Sequence, residues 1–419
     1  MSFRDSEYVA GHLIEGGFSL ADSIESADVV IFNSCSVRKH AEDRLISNIS
    51  DLKLLKKKRP ELIIGLMGCT AQSYKSKILE KLPILDFSCG PGNESDIPDI
   101  IKDILENRGT IVATDKIDSK RPELFPAHRE NKYKAYVSIS EGCNNFCSYC
   151  IVPYVRGRER CRDAKDIIKE VKDLAVRGFK EIMLLGQNVN SYREIGFTKL
   201  LKKLNSIKGI ERIRFMTSHP KDASTDLFKA MRDLEKVCAH LHLPLQAGSD
   251  RILKLMNRGY TAGKYMSLVK EYREYIPGGS ITTDIIVGFP SETSKDFDKT
   301  VKIMKDIEFD GAYMFKYSPR PPAKSSGLKD DISKEEKELR LDTIINLQRG
   351  ISLKKNELLT AKTFDVLVDG QNKIDPSRLT GRTGTNKVVV FDGSKDMIGR
   401  IVSVRIDSVT PHALRGRVV

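Results

Sequence analysis

Glu141-Gly-Cys-Asn-Asn-Phe-Cys-Ser-Tyr-Cys150 follows directly on the alternating apolar run Ala135-Tyr-Val-Ser-Ile-Ser140. The order is a strand and then a loop that carries Cys143, Cys147 and Cys150 in a Cys-x3-Cys-x2-Cys spacing. Three thiolates so close together hold three irons of a [4Fe-4S] cube and leave the fourth iron open to a small molecule. Such an open iron is where S-adenosylmethionine chelates and is reductively split. Structural zinc needs four ligands, usually as two Cys-x2-Cys pairs, and no fourth Cys or His follows at that spacing.

Working outward from the loop, Asp163 to Gly178 has helical periodicity, with Ile167, Ile168, Val171, Leu174 and Ala175 on one stripe and Gly178 as the stop. A buried strand follows at Glu181-Ile-Met-Leu-Leu-Gly186. The alternation recurs at residues 212–217, 240–245, 280–287 and 311–317, separated by helical patterns. With the strand before Cys143 this makes about six βα units, a parallel barrel or an open part of one. Chemistry in such barrels gathers at the C-terminal strand ends. By position, Tyr149 beside the cluster, Gln187 and Asn188 after the second strand, and Gln246 after the fourth are the candidates to touch S-adenosylmethionine. His219 and His242 read as satisfied loop or core histidines.

The flanks read differently. Ala27-Asp-Val-Val-Ile-Phe32 and Glu61-Leu-Ile-Ile-Gly-Leu-Met67 are strands that end just before Cys35 and Cys69, where an α/β sheet places its ligands. Two cysteines at equivalent places point to a metal, although a cysteine after a strand also serves as a small buried apolar group, the reading given to Cys89, Cys161 and Cys238. From about residue 355 the helical period is lost. Thr363-Phe-Asp-Val-Leu-Val368, Lys387-Val-Val-Val-Phe391 and Ile401-Val-Ser-Val-Arg-Ile406, with Asp-Gly turns between them, predict a small antiparallel barrel of OB-like proportions. Its loop Leu379-Thr-Gly-Arg-Thr-Gly-Thr-Asn-Lys387 places Arg382 and Lys387 among small hydroxyl residues, chemistry suited to phosphates and exposed bases.

The chain of 419 residues is long enough for two to four domains, and its net charge of +13 makes a polyanionic partner plausible. No apolar segment reaches membrane-spanning length and the N-terminus does not read as a signal peptide, so the expectation is a cytoplasmic protein that contacts no membrane. In a reducing compartment its cysteines serve metals or redox chemistry more often than disulfides.

Together these motifs resemble the radical S-adenosylmethionine methylthiotransferases, and most closely the MiaB-type tRNA enzymes. The resemblance runs over essentially the whole chain. It rests on Glu141 to Tyr154 with Arg156-Gly-Arg158, on Leu185-Gly-Gln-Asn-Val-Asn-Ser-Tyr192, and on His242-Leu-Pro-Leu-Gln-Ala-Gly-Ser-Asp-Arg251. It continues through Leu255-Met-Asn-Arg-Gly-Tyr-Thr261, Asp284-Ile-Ile-Val-Gly-Phe-Pro290, Tyr317-Ser-Pro-Arg-Pro321 and Leu379-Thr-Gly-Arg382. It implies an α/β architecture of three parts. These are a Rossmann-like methylthiotransferase domain over residues 1–125, a partial (βα)6 radical barrel over 129–350, and a small antiparallel β-barrel of the TRAM type over 355–419 that holds RNA. It also implies two [4Fe-4S] clusters, the second on Cys35 and Cys69, with S-adenosylmethionine as co-substrate. The reaction implied is methylthiolation of C2 of N6-isopentenyladenosine beside the anticodon of tRNA. The partners are then the anticodon stem-loop, an electron donor such as flavodoxin or ferredoxin, and a sulfur donor that the sequence does not name.

One departure stands out. Family members begin with a strand and a Gly-Cys-Gln-Met-Asn-like turn whose Cys is the first of three ligands for the second cluster, and Met1 aligns with the Met of that turn. The expectation is a second cluster lacking one ligand, from an internal Met taken as the start or from a truncated chain. The competing readings are methylthiolation of threonylcarbamoyladenosine in tRNA or of a ribosomal-protein aspartate, and, from another class, a non-catalytic RNA-binding iron-sulfur protein. The intact three-cysteine loop argues against the last.

Overall fold

A computed structural model describes residues 1–35, 39–115, 117 and 128–419, the side chains of residues 39 and 40 excepted. The chain forms two compact units. The first comprises residues 1–130, 140–160 and 320–326; the second comprises residues 131–139, 161–319 and 327–419.

The first unit is built on a parallel sheet in the order β1 (Val29–Ser34), β2 (Ile63–Gly68), β3 (Phe87–Cys89), β4 (Ile111–Ala113). β2 is apolar along its whole length and fully buried, as a strand covered on both faces must be. One face is covered by α1 (Ser2–Glu15) and the helix Ile97–Asn107, through Tyr8, Val9, Ile97, Ile101 and Ile104; the other by Leu45, Ile49, Ala71 and Ile78. Helix α1 begins at Ser2, and both strands run two residues or so later than their apolar cores indicated. Cys89 closes β3 inside the first of these apolar faces, as a small buried group.

The second unit carries six parallel strands: β5 (Lys134–Ser138), β6 (Glu181–Leu185), β7 (Arg212–Phe215), β8 (His240–His242), β9 (Ser280–Val287) and β10 (Gly311–Lys316). Backbone pairing joins β5, β6 and β7 into one sheet and β8, β9 and β10 into another. One apolar core serves both, from Val137 and Ile182 through Leu241 to Ile285 and Phe309. The helix after the cysteine loop spans Ala164–Val176, capped by the Asp163 side chain, which accepts from the Lys165 N–H. Residues 363–418 close into a five-stranded barrel in the order β11 (Thr363–Gln371), β12 (Leu379–Thr383), β13 (Val388–Asp392), β15 (Leu414–Val418), β14 (Ile401–Val409). The expectation of an antiparallel barrel needs one correction, because β13 and β15 pair in parallel. Chain closure explains it: β15 returns to the open edge of β13 and leaves the barrel without a free edge.

The small barrel is fastened to the starts of the parallel strands. Arg212, first in β7, donates to the Arg382 and Asp365 carbonyls at 2.7 Å each; Arg214 donates to the Thr383 carbonyl at 2.7 Å, and the Ser280 hydroxyl to the Thr385 carbonyl at 2.6 Å. These contacts lie at the opposite ends of the strands from the loops that carry Gln187, His219 and Gln246. Among the described residues, no helix is long and apolar enough to cross a membrane.

Candidate active site

The cysteine loop lies in the first unit. Its path depends on Gly142, whose φ of +76° is the left-handed region, and whose hydrogen could not become a methyl group because a Cβ would meet the Arg158 carbonyl oxygen at 2.1 Å. Cys143 N–H donates to the Gly157 carbonyl at 3.2 Å and Cys150 N–H to the Cys147 carbonyl at 3.0 Å, which folds the three cysteines into one compact turn. Cys147 is buried; Cys143, Cys150 and Tyr149 are half-buried. The Asn145 N–H reaches Cys143 Sγ at 3.5 Å, a donor directed at sulfur of the kind that stabilises a thiolate bound to iron. Among the described residues, no three His, Cys, Asp or Glu side chains converge as ligands of a single ion. A cube asks for a different arrangement, with each thiolate on its own iron, and a loop of three cysteines with a backbone N–H on one sulfur fits it.

The same unit holds a second cysteine site. Ser34 and Gly68 are partners in the register of β1 and β2, so Cys35 and Cys69, one residue later on each strand, emerge side by side. Gly68 makes this approach feasible: with φ at +95°, a Cβ there would meet Asn33 Oδ1 and the Ser34 carbonyl at 2.7 Å. The two thiols hydrogen-bond to one another, and that contact, together with burial, holds Cys69 well above the ordinary thiol range while Arg156 pulls the other way. Cys35 is exposed and Cys69 buried. Arg156, from the stretch just after the cysteine loop, donates Nε–H to Cys69 Sγ at 3.2 Å and Nη2–H to Asp5 Oδ2 at 2.6 Å. Burial alone would lower its pKa, but Asp5 first and then Cys69, Glu141 and Glu94 lift it above the ordinary guanidinium value. The Met1 α-amine is buried within electrostatic reach of Asp5, Arg156 and both thiols. Two adjoining thiols, one already receiving a charged N–H donor, suit iron-sulfur ligation and offer two thiolates to it.

In the second unit the parallel strands end in polar loops that are tied together. Asn188 Nδ2 donates to Asp222 at 2.6 Å while its Oδ1 accepts from His219 N–H at 3.1 Å; Asn190 holds the same backbone on both sides, at 2.8 and 3.0 Å. Asn188 therefore holds the loop after β7 in place, and its amide is occupied by protein. Gln187 differs, because its buried Oε1 has no partner. Ser218 Oγ and His219 Nε2 are likewise buried without partners. His219 Nδ1 accepts from the Lys221 N–H at 3.2 Å, so Nε2 carries the ring proton. Burial, followed by Arg258 and Lys221, pushes the His219 pKa down to about 2, so the ring stays neutral and offers one N–H. Buried polar atoms without partners are rare in folded proteins. Three of them on neighbouring strand ends fit a polar ligand such as S-adenosylmethionine. Sequence reasoning passed over Ser218, because a polar βα loop is polar by default, and read His219 as satisfied, whereas its buried Nε2 has no partner; only the hydrogen-bond pattern singles them out. Gln246, buried with φ at +71°, is pinned through its backbone, donating to the Asp284 carbonyl at 2.8 Å and accepting from Ile286 N–H at 2.9 Å. His242 is satisfied, as expected, by Thr282 at 3.0 Å.

The RNA-facing expectation for the small barrel changes most. Lys387 points inward, 3.2 Å from Asp310 Oδ1 and donating to Asn356 Oδ1 at 2.9 Å, and Arg382 is half-buried beside Asp369 and the Asn386 carbonyl. A lysine flanking a glycine- and threonine-rich loop looks solvent-facing in sequence; here the loop turns it onto the strand starts. The exposed arginines of this barrel include Arg400, Arg405, Arg415 and Arg417, with Arg405 directly opposite Arg417 and Arg417 3.7 Å from Asp407.

Six parallel strands with a three-cysteine loop after the first define a radical S-adenosylmethionine architecture. Residues 137–304 match the radical SAM superfamily, residues 1–90 the uncharacterized protein family UPF0004, and residues 358–419 the TRAM domain. Over its entire length the chain is 46% identical to a tRNA-2-methylthio-N(6)-dimethylallyladenosine synthase of Thermoanaerobacter sp. (strain X514), covering 90% of that protein. It is 42% identical to the protein of the same name from Carboxydothermus hydrogenoformans, covering 97% of it. The structure of the radical S-adenosylmethionine methyltransferase TsrM from Kitasatospora setae superposes with a TM-score of 0.57 at 15% identity, over 77% of this chain and 73% of that one, a likeness of fold. The chain belongs to the MiaB-type family of radical S-adenosylmethionine tRNA methylthiotransferases.

Proposed function

We propose that this enzyme installs a methylthio group at C2 of N6-isopentenyladenosine beside the anticodon of tRNA. The observation that carries the reading is the identity of 46% over the whole chain to a relative named for that product. Cys143, Cys147 and Cys150 hold the radical cluster, and Cys35 and Cys69 belong to a second one. Bound there, a reduced [4Fe-4S] cluster supplies the electron that splits S-adenosylmethionine into methionine and a 5′-deoxyadenosyl radical able to take the C2 hydrogen. The protein's part is to bind, orient and exclude water. Gln187 and Gln246 contact S-adenosylmethionine, joined by Ser218 and by the neutral N–H of His219, and Tyr149 is a further candidate contact beside the cysteine loop. Asn188 positions that wall from behind.

Domain limits of 1–125, 129–350 and 355–419 are part of the proposal, as are a cytoplasmic setting and a flavodoxin- or ferredoxin-like electron donor. The small barrel grips the tRNA backbone through Arg405, Arg415 and Arg417, with Arg382 at the edge of that surface. The test is a direct assay: reconstituted enzyme, S-adenosylmethionine, reductant and tRNA carrying either isopentenyladenosine or threonylcarbamoyladenosine. A methylthio mass shift on the first alone supports the reading; a shift on the second alone assigns the enzyme to the threonylcarbamoyl branch.

A further inference from the structure

We propose that Arg156 is a positioning residue of the second cluster, holding Cys69 through a charged hydrogen bond and raising the reduction potential of the cluster that Cys69 ligates. The inference rests on Cys69 being a ligand, as argued above. Its observations are geometric. Arg156 is buried, and so is Asp5, from which it stands 2.6 Å away. That clamp fixes the guanidinium plane, and in this orientation Nε–H meets Cys69 Sγ at 3.2 Å. Ile151 and Val155 pack on Cys69 in an apolar layer and keep water from the contact. Arg156 Nη1 is buried with no hydrogen-bond partner.

A guanidinium so placed is costly to bury unless anionic groups meet it. Asp5 supplies the nearest one, with Glu141 and Glu94 within electrostatic reach, and a cluster beside Cys69 would add anionic sulfur where the Nε–H already points. Hydrogen bonds to cluster sulfur and nearby positive charge both favour the reduced, more negative state, which moves the potential upward. Lysine would not substitute well, because a point charge on a flexible stem lacks the fixed fork that reaches Asp5 and Cys69 together.

The test uses the full chain with Cys143, Cys147 and Cys150 all changed to Ala, so that only the second site can load. It is reconstituted anaerobically with iron and sulfide, and the midpoint potential is read by redox titration with electron paramagnetic resonance. Arg156→Gln is expected to move the midpoint to more negative potential with iron still bound. An unmoved or more positive midpoint overturns the inference. Should Arg156→Gln load no iron, Arg156→Lys carries the test: a midpoint more negative than that of the Arg156 protein supports the inference, and an unchanged one overturns it. Cys69→Ala in the same background separates the two claims. Loss of iron there leaves Cys69 as a ligand whatever Arg156 does, whereas full iron retention removes Cys69 from the ligand set and the inference with it. No iron in the parent triple variant overturns both.

Discussion

Lys387 Nζ stands 3.2 Å from Asp310 Oδ1, tying the edge of the five-stranded barrel to the start of β10. Asp310 also receives Lys355 at 2.8 Å, and although burial opposes its charge, Lys387 and Lys355 keep its pKa below the usual carboxylate value. Lys387→Ala should therefore act on stability, not on RNA. A loss of about 1–3 kcal/mol in urea unfolding is expected, with tRNA affinity nearly unchanged. A sharp fall in tRNA affinity at unaltered stability would return Lys387 to the RNA surface.

The opposite outcome is expected for the exposed arginines. Changing Arg405, Arg415 and Arg417 together to Ala should leave stability close to the parent and weaken tRNA binding. If each neutralises one phosphate, the slope of log affinity against log salt should flatten by about 2–3. Formation of 5′-deoxyadenosine without tRNA should persist, since these residues lie on the small barrel. An unchanged salt slope would mean that the barrel is a structural cap.

Cys147→Ala removes one of three thiolates from a turn closed by its own backbone. Reductive formation of 5′-deoxyadenosine should be abolished while circular dichroism stays near that of the parent. Substantial residual cleavage of S-adenosylmethionine would sink the assignment of the loop.

His240 gives a pH dependence with a definite sign. Burial, then His242 and Arg214, lower its pKa from 6.5 to about 3, and its Nε2 is matched to Thr282 Oγ1 at 2.9 Å. Below its ordinary pKa the unfolded chain takes up a proton that the native ring refuses. The stability tied to the neutral ring is complete above pH 6.5 and is lost progressively as pH falls toward about 3. The slope is about 1.4 kcal/mol per pH unit. His219, lowered to about 2, adds to it in the same direction. His240→Gln should flatten the fall in urea stability between neutral and mildly acidic pH; an unaltered slope would show that the native ring titrates normally.

What could be read from sequence follows from how local each signal is. The cysteine loop, the Asp163-capped helix and the strand at 280–287 announce themselves by spacing, capping chemistry and β-branched alternation, all short-range features. The equivalence of Cys35 and Cys69 was visible as two strand ends. Their contact needed the β1–β2 register, and the Arg156 donor to Cys69 joins residues 87 apart in the chain, which no local pattern encodes. Asn188 and Lys387 were misjudged for one reason: a polar side chain in a loop looks available until its partners are known, and Asp222, His219, Asp310 and Asn356 are those partners. The long helix Lys334–Glu357 left little periodic trace before the small barrel, because most of the side chains it buries are polar, Lys337, Arg340, Gln348, Ser352 and Asn356 among them.

The most direct measurement is nucleoside mass spectrometry of tRNA from cells in which this gene is deleted and then restored. Deletion should leave N6-isopentenyladenosine unmodified at C2 and remove its 2-methylthio derivative, and restoring the gene with all three loop cysteines should bring the derivative back where the Cys147→Ala gene does not. A methylthio derivative that persists at its full level in the deletion strain would contradict the account.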